Sequence, residues 1–152
     1  MSKICIVYSS THHGNTEKIL YKIKEKFPEV TLIKADNFMN NDFTHYDTIG
    51  FASGIFYGKF SKVVDKLFNQ ALTSEIQKLF FIYTAGAIHV GFEKRLHKKT
   101  EQSGKTCLGI FGCKGFDTFG PLKLIGGLNK NRPNKDDFKN ATDFFEINII
   151  KQ

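Results

Sequence analysis

Apolar runs alternate with amphipathic stretches along the whole of this chain. Residues 3–8 carry Ile4, Cys5, Ile6 and Val7 in an unbroken row, the pattern of a strand covered on both faces. From Asn15 to Lys26 the spacing turns helical. Ile19, Leu20, Ile23 and Phe27 fall on one side while Lys18, Lys22, Glu25 and Lys26 face water, and Pro28 ends the segment. Residues 30–33 predict a second, shorter strand, and 36–42 a loop or brief helix. A third strand over 47–53 enters a glycine turn at Gly54. The helix predicted next, over 59–71, has Phe60, Val63, Val64, Leu67 and Phe68 on one stripe. An apolar and aromatic strand over 79–84 closes on Ala85-Gly86, a helix over 92–103 stops at Gly104, a fifth strand covers 106–113, and a last helix covers 135–145.

Five strands separated by helices predict an α/β fold, a parallel sheet with right-handed crossovers. The 152 residues suit one domain spanning 1–152, and there is no internal repeat or low-complexity linker. In an open parallel sheet the ligand lies outside the carboxyl ends of the strands. Three of those ends carry clusters of small residues, at 9–16, 53–58 and 84–86, and the topology brings all three to one crevice.

The first cluster, Ser9-Ser10-Thr11-His12-His13-Gly14-Asn15-Thr16, stands between a strand and a helix. A helix start leaves backbone N–H groups unpaired and carries partial positive charge, so it suits a phosphate. The hydroxyls of Ser10, Thr11 and Thr16 add donors. Gly14-Asn15-Thr16 is not the Gly-Lys-Thr of a P-loop, and no GxGxxG occurs, which disfavours nucleoside triphosphate hydrolysis and the usual dinucleotide fingerprint. A monophosphate held by hydroxyls and amides fits better. The competing reading is plainer: Asn15 or Thr16 simply caps the helix.

The run from Tyr8 to Glu17 resembles the phosphate loop of flavodoxins, Thr/Ser-x-Thr-Gly-Asn-Thr after the first strand, lengthened by one residue with His12-His13 before Gly14. The resemblance continues through the strand rhythm, Ser53-Gly54-Ile55-Phe56-Tyr57-Gly58, and Thr84-Ala85-Gly86. It implies a doubly wound five-stranded sheet of order 2-1-3-4-5 with helices on both faces, and FMN held without a covalent bond by these three loops. By position, Phe56 or Tyr57 stacks on the flavin ring, Gly54 or Gly58 admits backbone contact with its edge, and Thr84, Ala85 and Gly86 offer amides to its pyrimidine end. His89 is a further candidate donor. The plain alternative makes Phe56 and Tyr57 core or helix-start residues.

The long stretch after the fifth strand, 113–134, resembles a branch of flavodoxin-family proteins with Cys-Lys-Gly-Phe-Asp-Thr and Asn-x-x-Arg-Pro-Asn runs there. Stretches of this length are often functional. Cys113, Lys114, Gly115, Phe116 and Asp117 are candidates for a lid or a partner contact. Three roles fit the stretch: a lid over FMN, a docking surface whose Lys114, Lys123, Lys130 and Arg132 meet carboxylates, or a site for a small substrate or nicotinamide. A fourth reading makes it a cover with Phe116, Phe119, Leu122 and Leu124 packing inward. Asn134 with Asp136 and Asp137 reads as a helix cap.

Charge and cysteine usage narrow the partners. The net charge is +7, which favours anionic ligands or acidic partners, while the lysines form no block of the kind nucleic-acid binding uses. No apolar run reaches the length of a membrane span, and the opening residues lack a secretory leader's apolar core, so the expected compartment is the cytoplasm. Cys5, Cys107 and Cys113 are odd in number without a CxxC, which predicts reduced thiols, and His12, His13 and Cys113 make a poor zinc set. The reading that follows is an FMN electron carrier with no catalytic residue and a redox partner of acidic surface. The alternatives are an NAD(P)H-dependent FMN reductase of a quinone or nitro-type acceptor, which leaves enzymatic activity open, and a flavin-free interaction module.

Overall fold

Five strands, β1 (Ile4–Ser9), β2 (Thr31–Lys34), β3 (Thr48–Gly54), β4 (Lys78–Ala85) and β5 (Thr106–Lys114), alternate with four helices. The helices are α1 (Asn15–Lys26), α2 (Lys62–Ala71), α3 (Val90–Gln102) and α4 (Lys135–Phe145). The computed structural model describes residues 2–11, 13–118 and 120–152, with the side chains of residues 40, 41 and 120 left aside. The sheet has the order β2-β1-β3-β4-β5, and every pairing in it is parallel. Among the described residues no helix is long and apolar enough to cross a membrane.

The unbroken apolar strands follow from this topology, because β1, β3 and β4 are covered on both faces. On one face Cys5, Val7, Phe51, Phe81 and Tyr83 pack against Val64, Leu67 and Phe68 of α2 and Phe92 and Leu96 of α3. Much of the chain's phenylalanine sits here, with ring centroids 5.8 Å apart for Phe51–Phe68 and 5.1 Å for Phe68–Phe81, edge-on contacts that add to area burial. On the other face Ile6, Tyr8, Phe80 and Ile82 meet Ile19, Leu20 and Ile23 of α1 and Ala141 and Phe145 of α4.

Three departures from the expected elements have local causes. The helix expected from residue 59 begins at Lys62, because Lys59 turns back to pair with Phe56 and the Ser61 hydroxyl caps the helix by accepting from the Val64 N–H. Beyond α4 the chain continues as a π-helical turn, Glu146–Ile150, which places the Asn148 amide 3.1 Å from the Leu108 carbonyl on edge strand β5. The stretch after β5 contains a 3-10 turn at Gly120–Ile125 and an antiparallel bridge between Asp117 and Leu128, so it is more ordered than its sequence suggests.

Candidate functional site

The first loop leaves β1 at Ser9 and enters α1 at Asn15. Neither Asn15 nor Thr16 caps the helix. Gly14 holds the cap position with φ 64° and has no side chain to offer, so among the described residues the first-turn amides meet no side-chain cap except Ser10 Oγ, which accepts from the Glu17 N–H at 3.2 Å. Thr16 is buried and shares a 2.9 Å hydrogen bond with the Thr84 hydroxyl, tying this loop to the end of β4. Asn15 Nδ2 donates to the Phe116 carbonyl at 2.8 Å, and its Oδ1 is buried with no partner among the described residues. His13 packs its ring 4.2 Å from that of Phe116 and sets Nε2 2.8 Å from the Thr118 hydroxyl. His12 lies outside the described residues.

The second loop is a tight hairpin turn. Phe56 and Lys59 exchange backbone hydrogen bonds at 2.9 and 3.1 Å, while Tyr57 and Gly58 between them both have left-handed φ values, 53° and 72°. Those signs define the primed two-residue turn, which glycine enters freely and tyrosine only under strain. Arg95 of α3 supports the turn by donating to the Gly58 carbonyl at 3.0 Å. At its base Ser53 Oγ accepts from the Ser61 N–H at 3.0 Å, and Ile55 N donates to the Thr84 carbonyl at 2.9 Å. Phe56 folds inward over Gly54, whereas Tyr57 points out and is 87% exposed.

The stretch after β5 meets the first loop and the end of β4. Gly115 N donates to the Ala85 carbonyl at 2.9 Å, and a Cβ at Gly115 would stand 2.5 Å from Asn15 Nδ2, so only glycine allows this approach. Asn129 Nδ2 donates to the Gly86 carbonyl at 2.8 Å. Arg132 makes a bidentate pair with buried Asp137, 2.6 Å on each arm, and Asn134 caps α4 by accepting from the Asp136 and Asp137 amides. Burial alone would raise the Asp137 carboxyl, but the guanidinium and the Asn134 N–H outweigh it and hold it below the usual carboxylate range. The Asn-x-x-Arg-Pro-Asn run is therefore architectural, and Arg132 is committed to Asp137 rather than to a partner's carboxylates. Cys113 is buried, and burial pushes its thiol up to about 12, so it is a packed core residue without thiolate character. Leu124 is 88% exposed rather than packed inward, and Phe119 lies outside the described residues.

A crevice opens where these segments meet. Of the residues singled out from the sequence, Ser9, Ser10, Thr11, Asn15, Thr16, Ser53, Gly54, Ile55, Phe56, Thr84, Ala85, Gly86, Gly115, Phe116 and Asp117 line it. His13, Gly14, Tyr57, Gly58, Cys113 and Lys114 stand outside the lining. His89 is absent from the wall too, and its backbone N–H goes to the Tyr83 hydroxyl. Ser61 lines the crevice and was missed, although a serine before a helix is a cap signal. Asp117 is the one acidic or basic side chain among the described lining residues. The wall is hydroxyl- and amide-rich at the α1 end and apolar at Ile55 and Phe56.

A flavodoxin domain model matches residues 5–115. An uncharacterized protein of Methanocaldococcus jannaschii is 40% identical over 144 residues, 93% of this chain and 95% of its own. Oxidised flavodoxin 1 from Bacillus cereus superposes with a TM-score of 0.71 at 15% identity, covering 99% of each chain. A flavoprotein from Lactobacillus acidophilus, solved in complex with FMN, superposes with a TM-score of 0.56 at 15% identity, covering 74% of this chain and 93% of that one. At these identities the two structures speak to the fold alone.

Proposed function

Since this chain belongs to the flavodoxin domain family, we propose that it holds FMN non-covalently in the crevice at the strand ends and carries electrons. The observation that carries this reading is the meeting of an uncapped helix start with three strand-end loops on one crevice. The donor set fits FMN. The open amides of α1 with the Ser9, Ser10 and Thr11 hydroxyls suit a phosphate, and no carboxylate lines that end. The buried Asn15 Oδ1, without a partner among the described residues, suits a hydroxyl donor such as those of the ribityl chain. Ile55 and Phe56 supply apolar wall for the ring, and Phe56 takes the stacking role in place of Tyr57.

When bound, FMN supplies the redox chemistry. The chain's own residues bind, orient and exclude water. Thr16 and Thr84 fix the phosphate loop against the β4 loop, Asn15 fixes it against Phe116, and Asn129 holds the β4 loop in place. Asp117, in the crevice wall beside Gly86, would disfavour added negative charge on a flavin held there.

Titration of the apo-protein with FMN tests the reading: one-to-one quenching of flavin fluorescence is expected. A stepwise reductive titration of the same sample should then show electrons entering one at a time. A protein that leaves FMN fluorescence unchanged at high concentration would sink the proposal. Steady-state assays with NADH and NADPH separate a carrier from a reductase, and negligible turnover is the expected result.

A further inference from the structure

The segments that follow β3, β4 and β5, each of which contributes to the crevice wall, carry exposed apolar residues. Of ten large apolar side chains exposed among the described residues, six (Tyr57, Ile88, Val90, Leu124, Ile125 and Leu128) belong to the segments following β3, β4 and β5. Exposed apolar surface gathered at one place marks an interaction site more often than scattered single residues do. These segments are joined to each other. Arg95 links the Tyr57 turn to α3, and Asn129 ties the β5 segment to Gly86. The Tyr57-Gly58 turn holds its tyrosine outward with left-handed backbone geometry, which suits a rigid aromatic anchor.

The charge on these segments is one-sided. Residues 54–61, 86–89 and 114–134 contain Lys59, Lys114, Lys123, Lys130 and Arg132 against a single acid, Asp117. Arg132 is taken up by Asp137, and Asp117 faces the crevice. The four lysines are all exposed, which leaves these segments with a net positive charge beside their exposed apolar residues.

We propose that this surface docks a carboxylate-rich redox protein. The proposal rests on the FMN reading above and names the partner's chemistry at that same site. A nucleic acid or an anionic membrane also meets lysines. However, lysines carried on the same segments as exposed apolar and aromatic residues match the mixed composition of a small protein interface, and steering by complementary charge governs how fast such partners meet.

The test uses the FMN-loaded protein and, as probe, a reduced acidic plant-type [2Fe–2S] ferredoxin. In each transfer one electron leaves the ferrous ion, which becomes ferric, and enters the flavin; no atom moves. Stopped-flow rates should fall at least tenfold between about 20 and 300 mM salt. The triple variant Lys114→Glu, Lys123→Glu, Lys130→Glu should lose roughly tenfold or more at low salt while its FMN titration stays as in the parent. A control with the same change in net charge elsewhere, Lys78→Glu, Lys98→Glu, Lys151→Glu, should keep most of the rate. Rates indifferent to salt, or slowed equally by both triples, would overturn the docking proposal while FMN binding still stands. Lysine-dependent sedimentation with anionic vesicles, without lysine-dependent exchange with the ferredoxin, would overturn it in favour of a membrane. Failure to bind FMN at all would remove the reading beneath it, and the proposal with it.

Discussion

Asn15 joins the fold and the site in one side chain. Its Nδ2 holds the β5 segment through the Phe116 carbonyl, and its buried Oδ1 has no partner among the described residues. Truncation removes a hydrogen bond worth about 0.5–1.5 kcal/mol and also empties a tightly approached spot beneath Gly115. Asn15→Ala should therefore weaken FMN about tenfold in a fluorescence titration, with a smaller loss in thermal midpoint. Cys113 gives an opposite case, a thiol whose neighbours silence it. With its pKa pushed up to about 12 by burial, it holds almost no thiolate at neutral pH. In timed labelling with iodoacetamide and mass readout, Cys113 should stay unlabelled in the native protein and react once the chain is unfolded in urea. Labelling in the native protein at the rate of a free thiol would contradict the packing described here.

At the scale of elements, the join between the β5 segment and α4 is held by the Arg132–Asp137 pair together with the Asn134 cap. Arg132→Met leaves the carboxylate of Asp137 buried without its main partner. Because Arg132 is about one-third exposed, the cost should sit below that of a fully buried pair, at about 2 kcal/mol. The acid response gives an independent check. With the Asp137 carboxyl held below its usual range in the folded state, its contribution is complete above the unfolded value near 4 and is lost as pH falls through the lower folded value. Urea melts at neutral pH and below about pH 4 should show that acid-dependent loss in the parent and a much flatter response in Arg132→Met. None of this pairing could be read in advance, because Arg132 looked like one more surface cation and its partner lies across a turn. The helix over 15–26 was readable because its stripe is local. The start of α2 was not, since a Tyr57-Gly58 turn lacks the Asn-Gly signal that announces such hairpins. The crevice itself was foreseeable from topology: parallel strands bring their carboxyl-end loops together whatever those loops contain. Which of Phe56 and Tyr57 faces inward depends on the turn, so sequence spacing left both open.

Across the whole molecule, the crevice binds segments that are far apart in the chain, and a ligand there should act on global stability. FMN that binds only the folded state adds about 2.7 kcal/mol at a hundredfold excess over its Kd. For a chain of this size that corresponds to a rise of about 5–10 °C in thermal midpoint. Riboflavin separates the two ends of the site, because it keeps the ring and ribityl chain and lacks the phosphate. If α1 and the Ser9–Thr11 hydroxyls hold the phosphate, each charge-assisted hydrogen bond lost is worth about 1.5–3 kcal/mol, so riboflavin should bind at least a hundredfold more weakly. At matched concentration its midpoint shift should then be small, and inorganic phosphate should reduce the shift produced by FMN. Equal shifts from riboflavin and FMN would mean that the first loop serves only as a helix start, as its plainer reading holds, and that the ring end alone supplies the affinity.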